Sequence, residues 1–158
     1  MQLEKSMCSI DDLIREVVND VQVFTRAKHV ITFKKFSKTQ LRLDKYRISQ
    51  VLANLLTNAI KYSPKSSEII VTARRKNDTI IVEVKDSGMG IPKDKQHEVF
   101  QRFFRVNPNQ YNSGGFTSLG LGLYISAEII KRHEGKIWVK SKEGKGSTFY
   151  FSLPINGV

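Results

Sequence analysis

Apolar residues recur at helical spacing from Ile10 through Leu13, Ile14, Val17 and Val18 to Val21, the pattern of a helix that buries one face. Ser9-Ile10-Asp11-Asp12 adds an N-cap and acids in the first turn, so the pattern predicts a helix over residues 10–25 after a short lead. Val30 to Phe36 reads as a strand. After Leu41-Arg42-Leu43-Asp44 a second helix is predicted, running until Ser63-Pro64 stops it, with Ile48, Val51, Leu52, Leu55, Leu56, Ala59 and Ile60 on one broad face. Ile69–Ala73 and Thr79–Val84, joined by the polar run Arg74 to Asp78, predict a hairpin. Pro92–Phe104 predicts a short helix with an acidic start, followed by phenylalanines. Residues 107–118, rich in Asn, Gly and Ser, show no periodicity and predict a mobile loop. A helix over residues 122–133 leads into Lys136–Lys140 and Ser147–Leu153, a second hairpin turning at Glu143-Gly144-Lys145-Gly146. Hairpins require antiparallel pairing, and one-sided helices require a sheet to cover. The class is therefore α/β, a two-layer sandwich with about three helices on one face of a mixed, mostly antiparallel sheet, and not a doubly wound parallel fold.

The polar residues on the flank of the second helix change the picture from fold to chemistry. Asn54, Asn58 and Lys61 fall together beside its apolar stripe. An amide oxygen is a neutral hard ligand suited to Mg²⁺, and a nearby lysine neutralises phosphate as a point charge. The pair fits a metal-phosphate site; a helix with solvated asparagines has the same pattern.

A length of 158 residues with 40% hydrophobic content suits one domain with a core of its own. No stretch approaches the roughly 20 apolar residues of a membrane span, and Met1 to Ile10 lacks the basic start and apolar run of a secretory signal. A single cysteine, Cys8, fits a reducing cytosol, so a cytoplasmic chain without membrane contact is expected. The net charge of +11 raises nucleic acid as a partner, but the basic residues are scattered, with no aromatic-interleaved stripe and no recognition-helix pattern, so none is expected.

Two glycine clusters extend the site. Asp86-Ser87-Gly88-Met89-Gly90-Ile91-Pro92 leaves a strand end, where glycines let backbone approach a flat ligand and the Asp86 carboxylate can accept from an amino group. Gly120-Leu121-Gly122-Leu123 opens a helix, whose free N–H groups and dipole favour phosphate.

Taken in order, Asn54–Tyr62, Asp86–Gly90, Phe100-Gln101-Arg102-Phe103-Phe104-Arg105, Gly120–Leu123 and the turn Gly144–Phe149 resemble the asparagine box, glycine boxes, phenylalanine box and final glycine turn of one domain. That domain is the ATP-binding catalytic domain of two-component sensor histidine kinases, a branch of the Bergerat-fold superfamily that also includes gyrase and MutL-type ATPases. The resemblance covers residues 10–154. It implies a Bergerat fold that binds ATP with Mg²⁺ and passes the γ-phosphoryl group to a histidine on a separate dimerisation domain, upstream of a response regulator. Residues 1–9 would be the tail of a preceding dimerisation helix or a linker, residues 106–119 the lid, and residues 155–158 a C-terminal tail.

Residue by residue, the resemblance implies that Asn58 ligates Mg²⁺, that Asn54 supports the metal and phosphate geometry, and that Lys61 and Tyr62 line the nucleotide. Asp86 would read the adenine amino group, Gly88 and Gly90 would let the base slide in, and Arg105 would reach the terminal phosphates. Gly120 and Gly122 would contact phosphate through backbone N–H groups. Ile91, Leu119, Leu121, Leu123 and Thr148 complete the expected nucleotide-binding set; Asn54, Lys61 and Arg105 are the expected catalytic residues. Phe100, Phe103 and Phe104 are expected to pack as core or lid anchors. Hydrolytic members of the superfamily carry glutamate at the place of Asn54; an amide cannot take a proton from water, which favours transfer over hydrolysis. A nucleotide-binding module without kinase activity and a hydrolytic ATPase are the alternatives.

Two departures stand out: Ser118-Leu119 where the family commonly has Gly-Thr, and Glu134 where a glycine often follows the histidine. None of His29, His97 and His133 has the acceptor context, and His133 reads instead as a helix C-terminal histidine favoured by the dipole.

Overall fold

The computed structural model describes residues 1–25, 28–64, 67–104 and 121–155. Strand β1 (Ser6–Ser9) is followed by α1 (Ile10–Phe24), β2 (Val30–Lys35), β3 (Gln40–Leu43) and α2 (Lys45–Tyr62). Then come β4 (Glu68–Lys76), β5 (Thr79–Lys85), a 3₁₀ helix (Lys93–Glu98), α3 (Gly122–Arg132), β6 (Lys136–Lys142) and β7 (Gly146–Pro154). The main sheet has five strands in the order β2-β4-β5-β7-β6. Only the β2/β4 pair is parallel, because the path between them passes through α2; the other pairs are antiparallel.

Strand alternation puts Ile69, Val71 and Ala73, Ile80, Val82 and Val84, and Phe149, Phe151 and Leu153 on one face, all buried under the helices. The helices answer with stripes that match their sequence periodicity. Those of α2 are Ile48, Val51, Leu52, Leu55, Leu56, Ala59 and Ile60. Fully burying each of the larger aliphatic side chains is worth about 1.5–3 kcal/mol, so this stripe fixes the rotation of α2. The stripe of α1 gains one polar member, Asp11, which bends round to accept from the backbone N–H groups of Ser37 (2.9 Å) and Lys38 (2.8 Å). Ser9 caps α1 by accepting from Asp12 N at 3.2 Å, and Asp44 caps α2 by accepting from Arg47 N at 3.1 Å.

Several segments depart from the expectations. Ser6–Ser9, inside the segment expected to be a helix tail or linker, is a strand paired antiparallel with β3, register Ser6↔Leu43 to Ser9↔Gln40. Four-residue strands carry too little alternation to be recognised alone. The first hairpin is tighter than expected: β4 continues to Lys76, leaving Asn77-Asp78 as the turn, with Asn77 at φ 55. The helix expected after Pro92 is 3₁₀ and buries no side chain. Ile155, assigned to a tail, donates its N–H to Asp78 O at 2.8 Å. The expected mobile loop and the Ser118-Leu119 departure lie outside the described residues.

The end of α3 explains Glu134. Gly135 N bonds Ile130 O and Glu134 N bonds Lys131 O, both at 2.9 Å, the paired closure in which the residue after the cap turns left-handed. Glu134 takes that place at φ 61, a conformation in which its Cβ is strained. Glu134→Gly is therefore expected to raise stability by about 0.5–1 kcal/mol, read as a later urea midpoint at constant slope.

His133 closes the same turn from inside. It is 3% exposed, and its Nε2 accepts from Asp44 N at 3.0 Å while Nδ1–H donates to Ile129 O at 2.9 Å. Only the neutral ring makes both bonds. Burial, helped by the Lys5 charge, pushes its pKa below the usual 6.5, against the opposing Ile129 bond and the Asp44 charge. The unfolded chain thus takes up a proton that the folded one refuses. The contribution is complete above about pH 6.5 and falls as pH drops toward the lowered folded value. Urea unfolding at pH 7 and pH 5 should show this loss, with a shallower dependence in His133→Gln; equal slopes would contradict the assignment.

Candidate functional site

The flank of α2 meets α3 through one side chain. Asn54 Nδ2 donates to Gly122 O at 3.3 Å and to Ser126 Oγ at 3.2 Å, so both amide hydrogens are used and Oδ1 is the atom left to face a ligand. Ser126 is fully buried and was not singled out in the sequence. Its signal there is a hydroxyl inside the run Leu123-Tyr124-Ile125-Ser126-Ala127, one turn after Gly122. One turn beyond Asn54, Asn58 is half-buried and its carboxamide makes no hydrogen bond among the described residues. Its amide oxygen is thus available as a hard neutral ligand of the kind Mg²⁺ accepts. At the end of the helix Lys61 Nζ stands 5.3 Å from the centroid of the Tyr62 ring. The carbonyl of Tyr62 accepts from Met89 N at 3.3 Å, tying α2 to the loop after β5.

That loop begins at Asp86, which is 6% exposed. A single carboxylate oxygen, Oδ1, accepts from Gly88 N at 2.9 Å and Ser147 N at 3.2 Å, while Asp86 N donates to Ser147 O at 2.9 Å. Oδ2 has no hydrogen bond among the described residues and remains an acceptor on this largely buried residue. Burial pushes the carboxyl pKa up, and the two N–H bonds pull the other way.

The two glycines are required by the chain's own backbone. A Cβ on Gly88 would run into the carbonyl oxygen of Tyr62; one on Gly90, at φ +72, would run into the backbone of Lys142. The loop is therefore pressed against both α2 and the β6–β7 turn, a reason for these residues that is separate from the passage of a base. Ile91 joins the core, and its N–H donates to Ser141 Oγ at 2.8 Å. Gln96 Nε2 donates to the carbonyls of Ile91 and Ser141, both at 2.9 Å, and locks the 3₁₀ helix over this junction.

The sequence-predicted residues are not all brought together. Thr148 pairs in register with Lys85 and Lys140 and so falls on the sheet face away from the helices. Ser147, one place earlier, is the residue that reaches Asp86. Leu121 precedes α3 and Gly122 opens it with no side-chain cap among the described residues, so the first N–H groups of that helix are donors an anion could meet. Leu123 packs against the core. Phe100 meets Phe149 edge to face at 6.1 Å and Phe104 also packs on the core, but Phe103 does not: it is 62% exposed, with the Arg102 guanidinium 5.2 Å from its centroid. Arg105, Leu119 and Gly120 lie outside the described residues.

Together, the described residues offer an acceptor on the largely buried Asp86, two amide oxygens on the flank of α2, a lysine at its end and a helix N-terminus without a side-chain cap among them. An amino-bearing planar base and an anionic tail suit these groups. No helix among the described residues is long and apolar enough to cross a membrane, and no group of His, Cys, Asp and Glu side chains there could hold a metal ion.

Comparison with known proteins bears on this geometry. Residues 43–157 match the family of histidine kinase-, DNA gyrase B- and HSP90-like ATPases. The sensor histidine kinase WalK of Bacillus subtilis (strain 168) is 38% identical over 134 residues, 82% of this chain and 22% of WalK. The adaptive-response sensory kinase SasA of Thermosynechococcus vestitus is 37% identical over 158 residues, 98% of this chain and 40% of SasA. The chain thus spans between about a fifth and two fifths of the length of these curated relatives. Among solved structures, the catalytic domain of histidine kinase ThkA superposes with a TM-score of 0.81 at 30% identity, covering 97% of this chain and 99% of that one. The five-stranded sheet with helices on one face is the fold of that catalytic domain. The chain belongs to the histidine kinase-, DNA gyrase B- and HSP90-like ATPase family, as an ATP-binding catalytic domain of the sensor histidine kinase kind.

Proposed function

We propose that this chain binds ATP with Mg²⁺ between α2, the Asp86–Ile91 loop and the start of α3, and donates the γ-phosphoryl group to a histidine on a dimerisation domain of the same kinase, from which a response regulator receives it. The observation that carries this reading is the divided carboxylate of Asp86, a largely buried residue with one oxygen held by two backbone N–H groups and the other without a hydrogen bond among the described residues. An unpaired acceptor on a largely buried residue selects a ligand that brings a donor, as the amino group of adenine does. Guanine would present a carbonyl oxygen there and be rejected, because two acceptors cannot pair.

The phosphate end follows from α2 and α3. Lys61 supplies positive charge, Asn54 and Asn58 offer amide oxygens, and the first N–H groups of α3, without a side-chain cap among the described residues, are donors suited to anionic oxygens. Asn58 is the residue that would hold Mg²⁺, with Asn54 beside it. When bound, the metal neutralises charge on the phosphate oxygens during transfer. In the reaction the bond from the γ-phosphorus to the bridging oxygen breaks, a bond to the acceptor imidazole nitrogen forms, and ADP leaves. Arg105, Leu119 and Gly120 complete the site in this reading.

The amide at position 54 argues against hydrolysis in two ways. It cannot act as a base toward water. Its N–H groups also hold Gly122 O and Ser126 Oγ, and a glutamate there would set a carboxylate against a carbonyl. Binding without transfer is the remaining alternative, and phosphorylation of a supplied dimerisation domain separates it from the kinase reading.

Calorimetric titration with ATP and Mg²⁺ is expected to show binding that weakens about tenfold or more in Asp86→Ala and, in a Mg²⁺-dependent manner, in Asn58→Ala. Wild-type protein that fails to bind ATP at about 1 mM would overturn the assignment. Asn54→Glu is expected to raise the slow hydrolysis of ATP while costing about 1–3 kcal/mol of stability through the unpaired Gly122 carbonyl; unchanged turnover would remove the argument from position 54.

A further inference from the structure

The sheet face turned away from the helices carries a feature that the nucleotide site does not use. On β6 the outward positions are Lys136, Trp138, Lys140 and Lys142, and the neighbouring outward positions on β7 are Thr148 and Tyr150. Trp138 and Tyr150 are directly paired across the strands and stack with ring centroids 5.2 Å apart and planes 1° from parallel. Lys140 Nζ stands over the Tyr150 ring, 5.6 Å from its centroid. Lys85 shares the Lys140 row through Thr148, two strands and so about 10 Å away. Lys85, Lys136, Lys140 and Lys142 form no ion pair among the described residues. Glu83, in the Tyr150 row, is already held by Arg74 at 3.1 Å.

The chemistry of this face narrows its partner. Tyr150 has Trp138 on one ring face and an ammonium over the ring, so it offers no open platform for a nucleobase. Both rings are half-buried, and neither is among the exposed large apolar side chains that could anchor in a bilayer. What the face does present outward is donors: lysine ammoniums, and the indole N–H and phenol O–H of the aromatic pair, which make no hydrogen bond among the described residues. Ammonium donors in a row, with the nearby carboxylate of Glu83 already held by Arg74, call for carboxylates in a row. Lys140 and Lys142 stand about 6.8 Å apart along the strand, the spacing of alternate side chains in an extended chain. β6 is also the edge strand, so a segment can lie along it.

We propose that the outer face around Trp138, Tyr150 and the β6 lysines docks an acidic protein segment in extended conformation, with carboxylates at every second residue. This site is on the opposite side of the sheet from the nucleotide and does not depend on the reading of that site.

Trp138 is the only tryptophan of the chain, so its emission reports this face alone. The probe is a synthetic peptide of alternating glutamate and serine, titrated into the full chain. Its binding should shift the emission of Trp138. It should weaken about tenfold in the double variant Lys136→Glu, Lys140→Glu, and weaken again when ionic strength rises from about 0.01 M to about 0.15 M, where the screening length shrinks from about 30 Å to 8 Å. The double variant Lys28→Glu, Lys131→Glu carries the same charge change elsewhere and should bind within about twofold of wild type. Lys136→Gln with Lys140→Gln supports the same comparison if the reversed charges disturb folding, as read by circular dichroism. Unchanged emission up to about 1 mM peptide overturns the proposal, as does equal weakening in both double variants, which would reduce it to bulk charge. Binding of oligothymidylate or of phosphatidylglycerol vesicles in preference to the peptide overturns it too.

Discussion

The buried stripe of α2 is the constraint on which the site depends. A helix that commits seven apolar side chains to a core has no freedom left to rotate about its axis. Asn54, Asn58 and Lys61 sit at fixed angles from that stripe, so the side of the helix from which they project is settled by hydrophobic packing, and the two hydrogen bonds of Asn54 then turn its amide. The same helix is held at its start by the Asp44 cap and at its end by the bond from Met89 N to Tyr62 O. Polar groups at both ends and apolar groups along one side leave the amide flank presented as an edge, and a ligand that meets it finds groups already in place. Such preorganisation matters for phosphoryl transfer, in which the protein contributes position and charge more than covalent chemistry.

The second half of the site is built by backbone touching backbone. Asp86 N donates to Ser147 O between β5 and β7, and Ser147 N donates back to the Asp86 side chain. This double use orients one carboxylate oxygen and leaves the other with a defined direction. Gly88 and Gly90 let the loop press so close that no Cβ fits. The left-handed backbone that Gly90 adopts freely at φ +72 and the raised carboxyl of Asp86 belong to one arrangement, a largely buried acid residue kept ready for a donor.

The parts legible in the sequence were those with a repeating signal over many residues. The α2 stripe and both hairpins gave that signal, and glycine-bearing motifs in a recognisable order carried the family. What was not legible depended on single residues meeting across the chain. β1 and β3 are too short to show a period and are joined only by pairing over more than thirty residues. Ser126 gains its meaning from Asn54, 72 positions away. Thr148 and Ser147 differ by one place, yet in a strand one place exchanges the two faces, so a motif match without a register cannot choose between them. Phe103 shows the same limit in another form: three aromatic residues in close sequence suggest a common role, while the left-handed backbone at Phe103, φ 65, turns that ring outward.

His133 joins these levels. Its ring takes a proton donor from Asp44 N and gives one to Ile129 O, so the start of α2 and the end of α3 are fixed to each other through one neutral imidazole. Asp44 in turn accepts from Glu4 N at 2.9 Å as well as from Arg47 N. Burial raises its carboxyl pKa, but these N–H bonds and the neighbouring positive charges lower it further, and the net shift is down. Asp44 lies ten residues before Asn54 on the same helix, about 15 Å along its axis, and Ser126 lies on the helix that His133 closes. The lead segment before β1, the cap of α2 and the end of α3 are therefore one hydrogen-bonded unit. The Asn54–Ser126 contact sits between the two helices that this unit holds. The backbone of Glu4, through its bond to Asp44, thus belongs to the same unit that brackets the Asn54–Ser126 contact.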